Sequence, residues 1–500
     1  MSDNDSSLAG RAAVAMALTI GFYSLALILG LGTILLPFII AWATGQLILK
    51  LVIVCLISGG AILAAIVPRR DQFEPPGPEL SLAEHPRLAE VIRRVAGQTE
   101  QAMPRTVYLI PDFNAWVAQR GGSHLHGGDR LMGIGLPLLH QVTVSQFEAV
   151  IAHEFGHYHH GDTRLGPRIY QTRAAIVRTI AGLHEHNSIL QAPFLWYGRM
   201  FLQITHAISR RQEFNADRLA AQVAGTAAMR SALEKINRGG IAFDAYWQSE
   251  FVPMLRSRRL PPLLDGFTLF LQCEPMQTRI DACAEQVLAS EATDKYDTHP
   301  SLRERLAALE ALPAGPALSD RRPALDLLSD PAEQERELLR AIVAAGEFER
   351  LTPVGWDEVA PIHAARWQAM SRERRHFFFA ITPKDLPRFV RDPKPFVKDR
   401  PLQDLLAGPN QAQAAEAVAV TVALALASLL VRLGWTLERP IGSNPRMVLG
   451  AAVIEPFDTL DLLRSGQLPA PEWLRLCRDT GIGDHPLFPP SHKEDGARAE

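Results

Sequence analysis

The side chains with the clearest chemical potential in this 500-residue chain lie in one run, Phe147–Asp162. It contains the pattern H-E-x-x-H, formed by His153, Glu154 and His157. On a helix, residues four apart share a face, so both imidazoles point toward one position and suit a Zn²⁺ ion. Glu154 stands beside that face and can act as the base toward a zinc-bound water. The apolar residues before His153 predict a buried helix that holds the imidazoles in place.

A third ligand is expected because catalytic zinc sites have three protein ligands and one open position. The segment Ser209–Ala221 carries Glu213 and Asp217 one helical turn apart, on the same face. Glu213 is the candidate third ligand, and Asp217 is the candidate acceptor for the second N–H of a ligating imidazole. The metzincin pattern would need Gly at position 160 and His at position 163. The chain has His160 and Thr163 there, so this reading is excluded.

Other histidines are weaker metal candidates. His124 and His126 lie in the Gly-rich segment Gly121–Gly128, where a loop metal site is one interpretation. His159 and His160 follow the metal helix, and either could cap the metal in a resting state. A solvated helix end explains this second pair better.

The N-terminal region predicts a membrane anchor. Between Arg11 and Arg69 the only charged residue is Lys50, which leaves room for two spans of about 20 residues. We expect these spans at Met16–Trp42 and Leu47–Val67. The alternative, a buried hairpin in a soluble protein, would need an unusually large core.

Charge predicts the orientation and the class of partner. Basic residues after the second span outnumber the lone Lys50, so the positive-inside rule predicts a catalytic domain facing the cytoplasm, with the anchor in the cell inner membrane. The net charge of −3, with both signs interspersed, gives no case for nucleic acid. The four cysteines are widely spaced and are expected to be free thiols in a reducing compartment.

Short patterns predict the elements around the site. Thr106–Ile110 and Leu131–Ile134 are expected to be strands, and Thr172–Leu183 and Ser188–Ile208 to be helices. The second helix is apolar and aromatic but carries Arg199, so it is either a core helix or an interfacial helix.

The C-terminal part shows no catalytic pattern, and regulation or substrate delivery is our hypothesis for it. Pro313–Pro323 has the composition of a linker. Helices are expected at Pro331–Ala345 and Trp356–Phe378, and Ala417–Val431 is short enough to favour a buried core helix over a span.

Four stretches of the chain resemble the membrane-associated zinc metallopeptidases that include HtpX and the CAAX prenyl endopeptidase. The stronger matches are F-E-A-V-I-A-H-E-F-G-H at 147–157 with Asp162, and S-R-R-Q-E-F-N-A-D-R at 209–218. The weaker ones are V-Y-L-I-P-D-F-N-A-W at 107–116 and T-H-P-S-L-R-E-R-L-A-A-L at 298–309. Unlike HtpX, the chain has no clear span after the metal helix. Because it has far fewer spans than the prenyl endopeptidase, prenylated substrates are not expected.

The resemblance implies roles for particular residues. It makes His153, His157 and Glu213 the zinc ligands and Glu154 the general base. It also implies that Asn114 holds the substrate backbone and that His299 helps to stabilise the oxyanion. Arg210 matches a basic residue of unsettled role. From the residues alone, Asn114 could equally be a turn residue, and His299, before Pro300, a helix-entry residue.

Together these features predict a mainly α fold with a small β-sheet. We expect a transmembrane hairpin at 1–70, a zincin-type (gluzincin) α+β metallopeptidase domain at 71–312 and an α/β C-terminal domain at 313–500. The expected function is zinc-dependent endopeptidase activity on membrane or membrane-proximal proteins, with the lipid bilayer as the other partner. The alternatives are a non-catalytic zinc-containing membrane scaffold and a zinc hydrolase with non-peptide substrates.

Overall fold

The structure, a computed structural model, describes residues 3–67, 73–120, 129–158, 166–184, 190–289, 300–315, 320–344, 346–408 and 411–488. The helices of the first half are α1 Asp3–Thr44, α2 Leu49–Ile66, α3 Pro86–Gln98, α4 Leu136–Gln141, α5 Val144–Gly156, α6 Gly166–His184, α7 Gln191–Ala224 and α8 Thr226–Tyr246. Those that follow are α9 Val252–Arg256, α10 Leu263–Gln272, α11 Glu274–Ala289, α12 Leu302–Glu310, α13 Pro331–Ile342, α14 Val359–Arg374, α15 Leu386–Phe389, α16 Arg400–Leu405, α17 Gln411–Arg432, α18 Pro456–Ser465 and α19 Ala470–Asp479. The strands are β1 Thr106–Ile110, β2 Ala115–Arg120, β3 Asp129–Gly135, β4 Arg259–Leu260, β5 Thr352–Pro353, β6 Thr436–Glu438, β7 Arg446–Leu449 and β8 Ala452–Ile454.

The chain packs as two compact units, whose boundaries differ from the expected domain ends. The first unit combines Met1–Phe243 with Asp281–Ala345, and the second combines Asp244–Ile280 with Gly346–Glu500. The segment after position 312, expected to be a linker, is instead bound to the first unit. There the Thr226 N–H donates to the Ala314 carbonyl (3.1 Å) and the Val144 N–H to the Arg322 carbonyl (2.9 Å).

The expected membrane hairpin is confirmed as two long apolar helices, α1 and α2. Within Ala13–Thr44 and Leu49–Ile66, an apolar 18-residue part of each helix has a mean hydropathy of 2.4, and only 17% and 33% of these parts is buried. A protein in water would not leave so much contiguous apolar surface uncovered. This exposure is typical of an integral membrane protein.

The second unit is built around α17. This helix is also apolar and long enough to cross a membrane, but 72% of its 18-residue apolar part is buried. It is longer than the expected Ala417–Val431, and Val418–Leu430 is almost entirely enclosed by the unit's own side chains. Among the described residues, β6, β7 and β8 form an antiparallel sheet beside it.

In the first unit, a small sheet lies beside the metal helix. Within the described residues its order is β1–β3–β2, with β1 parallel and β2 antiparallel to β3. The two expected strands correspond to β1 and to the centre of β3, whereas β2 was not foreseen. Because β2 is at the end of the order, one of its two hydrogen-bonding edges faces away from the sheet.

The metal helix α5 begins at a well-defined cap. The Thr143 hydroxyl accepts from the Gln146 N–H (3.3 Å), and the Gln146 side chain accepts from the Thr143 N–H (2.9 Å). This reciprocal capping box satisfies two donors at the helix start. Phe147 and Ile151 are fully buried and fix the rotation of the helix. His157 follows the last helical residue and keeps helical backbone angles, so it still shares the face of His153.

The third-ligand segment lies on α7, one continuous helix. Sequence patterns had separated Ser188–Ile208 from Ser209–Ala221, but the described part of both belongs to α7. At Gly156, α5 approaches α7 so closely that an added Cβ would lie 2.8 Å from the Ala216 Cα. A glycine is therefore required where the two metal-site helices meet.

We predict that Gly156→Ala destabilises the first unit by about 1–3 kcal/mol, because the new methyl group must push two packed helices apart. The measurement is the free energy of unfolding by denaturant in detergent. The matched control is Gly97→Ala in α3, where an added Cβ meets nothing within 4 Å. Since alanine favours helix, that variant should be neutral or more stable by up to about 1 kcal/mol. Equal effects of the two variants would contradict the close contact.

Candidate metal centre and active site

Three side chains from α5 and α7 converge with the spacing of zinc ligands. Nε2 of His153 lies 3.5 Å from Oε2 of Glu213, and Nε2 of His157 lies 3.8 Å from Oε1 of Glu213. Ligand atoms at about 2.0–2.1 Å from a tetrahedral zinc are about 3.3 Å from one another. The three residues therefore fit a zinc ion with small adjustments of their side chains.

Asp217 and Arg305 complete the cluster behind the ligands. Nδ1 of His153 is 2.9 Å from Oδ1 of Asp217, the arrangement that directs Nε2 toward Glu213. Arg305, on α12, holds Asp217 with two parallel bonds, from Nε (2.8 Å) and from its second guanidinium nitrogen (2.6 Å). The same guanidinium is 3.6 Å from Oε2 of Glu213. One buried cation thus fixes the carboxylates of α7.

The charges of this cluster favour a cation at the ligand position. Burial opposes a charge on His153, but the contacts with Asp217 and Glu213 prevail and raise its pKa to about 9. Burial also opposes the charge on Asp217, yet hydrogen bonds from Arg305 and His153 lower its pKa. Two buried carboxylates with one guanidinium leave an excess negative charge. The field that retains a proton on His153 would also attract a divalent metal ion.

The position and the raised pKa of Glu154 are suited to proton transfer. Its ligand atom lies within 4.8 Å of those of His153 and His157. Burial raises its pKa to about 7, although His153 and a hydrogen bond from the Val117 N–H act in the opposite direction. A carboxyl group with a pKa near neutrality is well matched to general acid–base catalysis.

Two of the other sequence candidates, Asn114 and Arg210, are described, and neither has a described contact with this cluster. Asn114 is exposed at the entry to β2, where its carbonyl accepts from the Gly135 N–H (2.8 Å), and no described contact of the cluster involves it. Arg210 is half-buried on α7. His299, His159 and His160 lie outside the described residues, as do His124 and His126.

Sequence reasoning missed two residues of the site. Arg305 belonged to a matched stretch, but nothing local indicates its pairing with Asp217, 88 positions away. Tyr158 directly follows His157, and its hydroxyl donates to the Val117 carbonyl on β2 (2.8 Å). Its position in the motif was visible, but its partner strand was not predicted.

An H-E-x-x-H helix, a Glu on a second helix and a small sheet beside them are the arrangement expected of a metallopeptidase domain. In agreement with this, residues 82–312 match the model of peptidase family M48. No solved structure matches the chain.

Curated relatives give the same result. "Protease HtpX" of Vibrio cholerae is 30% identical over 173 residues, which cover 30% of this chain and 58% of the relative. "Protease HtpX homolog" of Thermodesulfovibrio yellowstonii is 26% identical over 255 residues, 47% of this chain and 78% of the relative. "Protease HtpX homolog" of Burkholderia mallei is 30% identical over 183 residues, 33% of this chain and 62% of the relative.

Residues 82–312 of this chain are therefore similar to peptidase family M48 and, within it, to proteins named protease HtpX. The first of these alignments spans 58% of the relative's length.

We predict that Arg305→Met destabilises the metal-free protein by about 3–5 kcal/mol, because it leaves two buried carboxylates without their cation. Arg305→Lys keeps the charge but loses the paired bonds, so its effect should be intermediate. The measurement is the free energy of unfolding in chelator. Arg218→Met, which removes an exposed arginine next to Asp217, is the matched control and should have little effect. Equal unfolding of the two Met variants would argue against the network.

Proposed function

We propose that this protein is a membrane-anchored zinc endopeptidase that hydrolyses peptide bonds of membrane or membrane-proximal proteins. His153, His157 and Glu213 hold the zinc, Asp217 orients His153, and Glu154 is the general base. The observation that carries this proposal is the convergence of three ligand side chains. The imidazoles of His153 and His157 lie 3.5 and 3.8 Å from the Glu213 carboxylate, and the carboxyl group of Glu154 lies beside them.

Each residue of the site has a separate role in the proposed hydrolysis. A zinc ion held here would act as a Lewis acid and lower the pKa of water. The carboxylate of Glu154 takes a proton from the attacking water and then delivers it to the leaving amine. His157 is the more open of the two imidazoles, with 30% of its side chain exposed against 9% for His153. A substrate is therefore expected to approach from the His157 side.

The edge of β2 supports an extended peptide as the substrate. Exposed strand edges bind a peptide by adding it as a further strand. The Val117 N–H donates to Glu154, so this edge lies next to the reacting groups. A strand edge against the H-E-x-x-H helix is also what a zincin-type α+β domain requires. Asn114, at the entry to β2, is proposed to hold the substrate backbone, and His299 to stabilise the oxyanion, as the resemblance implies.

The anchor supports substrates at the membrane. We place the hairpin α1–α2 in the inner membrane and the catalytic domain in the cytoplasm, because the basic residues follow the second span. The region after position 312 is proposed to regulate the peptidase or to deliver substrate.

We predict that Glu154→Gln retains zinc but lowers turnover by about 10²–10⁴-fold, because the amide cannot accept the proton. The measurement is cleavage of an unfolded membrane-protein reporter by detergent-purified protein, with zinc content determined in parallel. His153→Ala should lose the metal. Full activity of Glu154→Gln would refute the assignment of the base.

A hydroxamate ligand separates the peptidase from the alternative scaffold. A catalytic zinc has an open position that binds acetohydroxamate, whereas a structural zinc is closed by four protein ligands. Zinc occupancy without hydroxamate binding would favour the scaffold.

We predict that Cys283, exposed on α11, is protected from a membrane-impermeant thiol reagent in intact spheroplasts and reacts after lysis. The reason is the proposed cytoplasmic orientation of the catalytic domain. The experiment uses a Cys273→Ser background, because the Cys273 thiol is half-buried whereas those of Cys55 and Cys477 are buried. Labelling of Cys283 before lysis would contradict the proposed cytoplasmic orientation and support the opposite one.

A further inference from the structure

The outward edge of β2 can be assigned residue by residue. In an antiparallel pair, alternate residues bond to the partner strand and the others turn away from it. The Gly135 N–H donates to the Asn114 carbonyl, which puts Asn114 in a bonded pair with β3. Residues 116 and 118 follow in the same phase, so the backbone groups of Val117 and Gln119 face away from β3.

Groups of the metal helix and its C-terminal extension occupy this edge. The Tyr158 hydroxyl donates to the Val117 carbonyl (2.8 Å), and the Gln119 N–H donates to the Tyr158 oxygen. The Val117 N–H donates to Glu154. One hydroxyl thus satisfies an acceptor and a donor of the strand, as the N–H and C=O of one residue in an added strand would do.

The ring of Tyr158 is held in this position. The guanidinium carbon of Arg130, on β3, lies 5.2 Å from the ring centroid, within the range of a cation–π contact. The Tyr158 side chain is therefore held in a defined position at the edge of β2.

We propose that Tyr158 is a stand-in for the substrate backbone on β2, which an extended substrate must displace before it can pair with Val117 and Gln119. This inference rests on the proposed function, because it concerns how the substrate reaches the metal site. Tyr158 then acts as a selectivity residue. A peptide with a continuous, hydrogen-bonding backbone replaces the two hydrogen bonds that the Tyr158 hydroxyl makes with β2. A ligand that reaches only the metal does not have to displace this hydroxyl.

The test compares two ligands on the zinc-loaded protein, wild type and Tyr158→Phe. Acetohydroxamate contacts only the metal position, whereas a tripeptidyl hydroxamate also has a backbone that can lie along β2. Removing the hydroxyl should tighten the tripeptidyl hydroxamate by about 2- to 10-fold, the range of one net hydrogen bond, and leave acetohydroxamate unchanged. An N-methylated tripeptidyl analogue, which cannot donate to the Val117 carbonyl, should lose this gain.

Tyr246→Phe is the matched control, since it also removes a phenol-to-carbonyl hydrogen bond, to Leu263 (2.9 Å), in the second unit. It should change neither dissociation constant. An unchanged or weaker affinity of Tyr158→Phe for the tripeptidyl hydroxamate would overturn the proposal. Turnover that falls in this variant without any gain in peptide affinity would do the same, because it would assign the hydroxyl to the transition state.

A readout without metal separates this inference from the proposed function. In Tyr158→Phe the Gln119 amide loses its acceptor and should exchange its hydrogen faster, while the Val117 amide, bound to Glu154, should not change. Equal exchange of Gln119 in both proteins would overturn the contact. Wild-type protein that binds zinc but neither hydroxamate would instead refute the proposed open metal site.

Discussion

The structure of the site depends on one buried cluster of charges, formed by Asp217, Glu213 and Arg305. Side chains of Asp217 and Glu213 are only 3% and 7% exposed, and removing a carboxylate from water costs several kcal/mol unless it is paired. Arg305 compensates one of the two negative charges, and a proton on His153 compensates the other in the absence of metal. A metal ion would take over that second role. The folded state of the first unit is therefore adapted to a cation between α5 and α7.

The helix that carries Glu213 and Asp217 also packs against the membrane anchor. The N-terminal half of α7 packs on the hairpin. The ring centroids of Phe194 and Tyr197 lie 6.3 and 6.2 Å from the ring centroid of Phe22 on α1. The Tyr197 hydroxyl donates to the Leu18 carbonyl (2.6 Å). The C-terminal half of the same helix carries Glu213. One helix therefore connects the packing contacts of the hairpin with Glu213, the candidate third ligand. The anchor is thus part of the packing that positions the site.

The sequence predicted those features that depend on residues close together along the chain. The H-E-x-x-H spacing and the Glu213–Asp217 turn put their side chains on shared helix faces, and the structure brings these faces together. Features set by distant contacts were missed. The strand β2 exists because it pairs with β3, while its sequence A-W-V-A-Q-R alternates weakly. The single helix α7 was divided because Arg199 and the basic pair after Ile208 interrupt its apolar pattern. The partner of Arg305 is defined only by the tertiary fold.

The second unit shows why a C-terminal region cannot be separated from the peptidase sequence at position 312. Its segment Asp244–Ile280 lies inside the stretch that matches the M48 model. Yet Tyr246 and Trp356 have ring centroids 6.0 Å apart, and the Trp356 indole donates to the Pro262 carbonyl (2.8 Å). Glu250, buried on a π-helical turn, pairs with Arg439 (2.8 Å). Without the later part of the chain, these groups would lose their partners and a carboxylate would remain buried alone. The segment Asp244–Ile280 therefore depends on the region after position 346 for its packing partners. For this physical reason we expect the two parts of the chain to fold together.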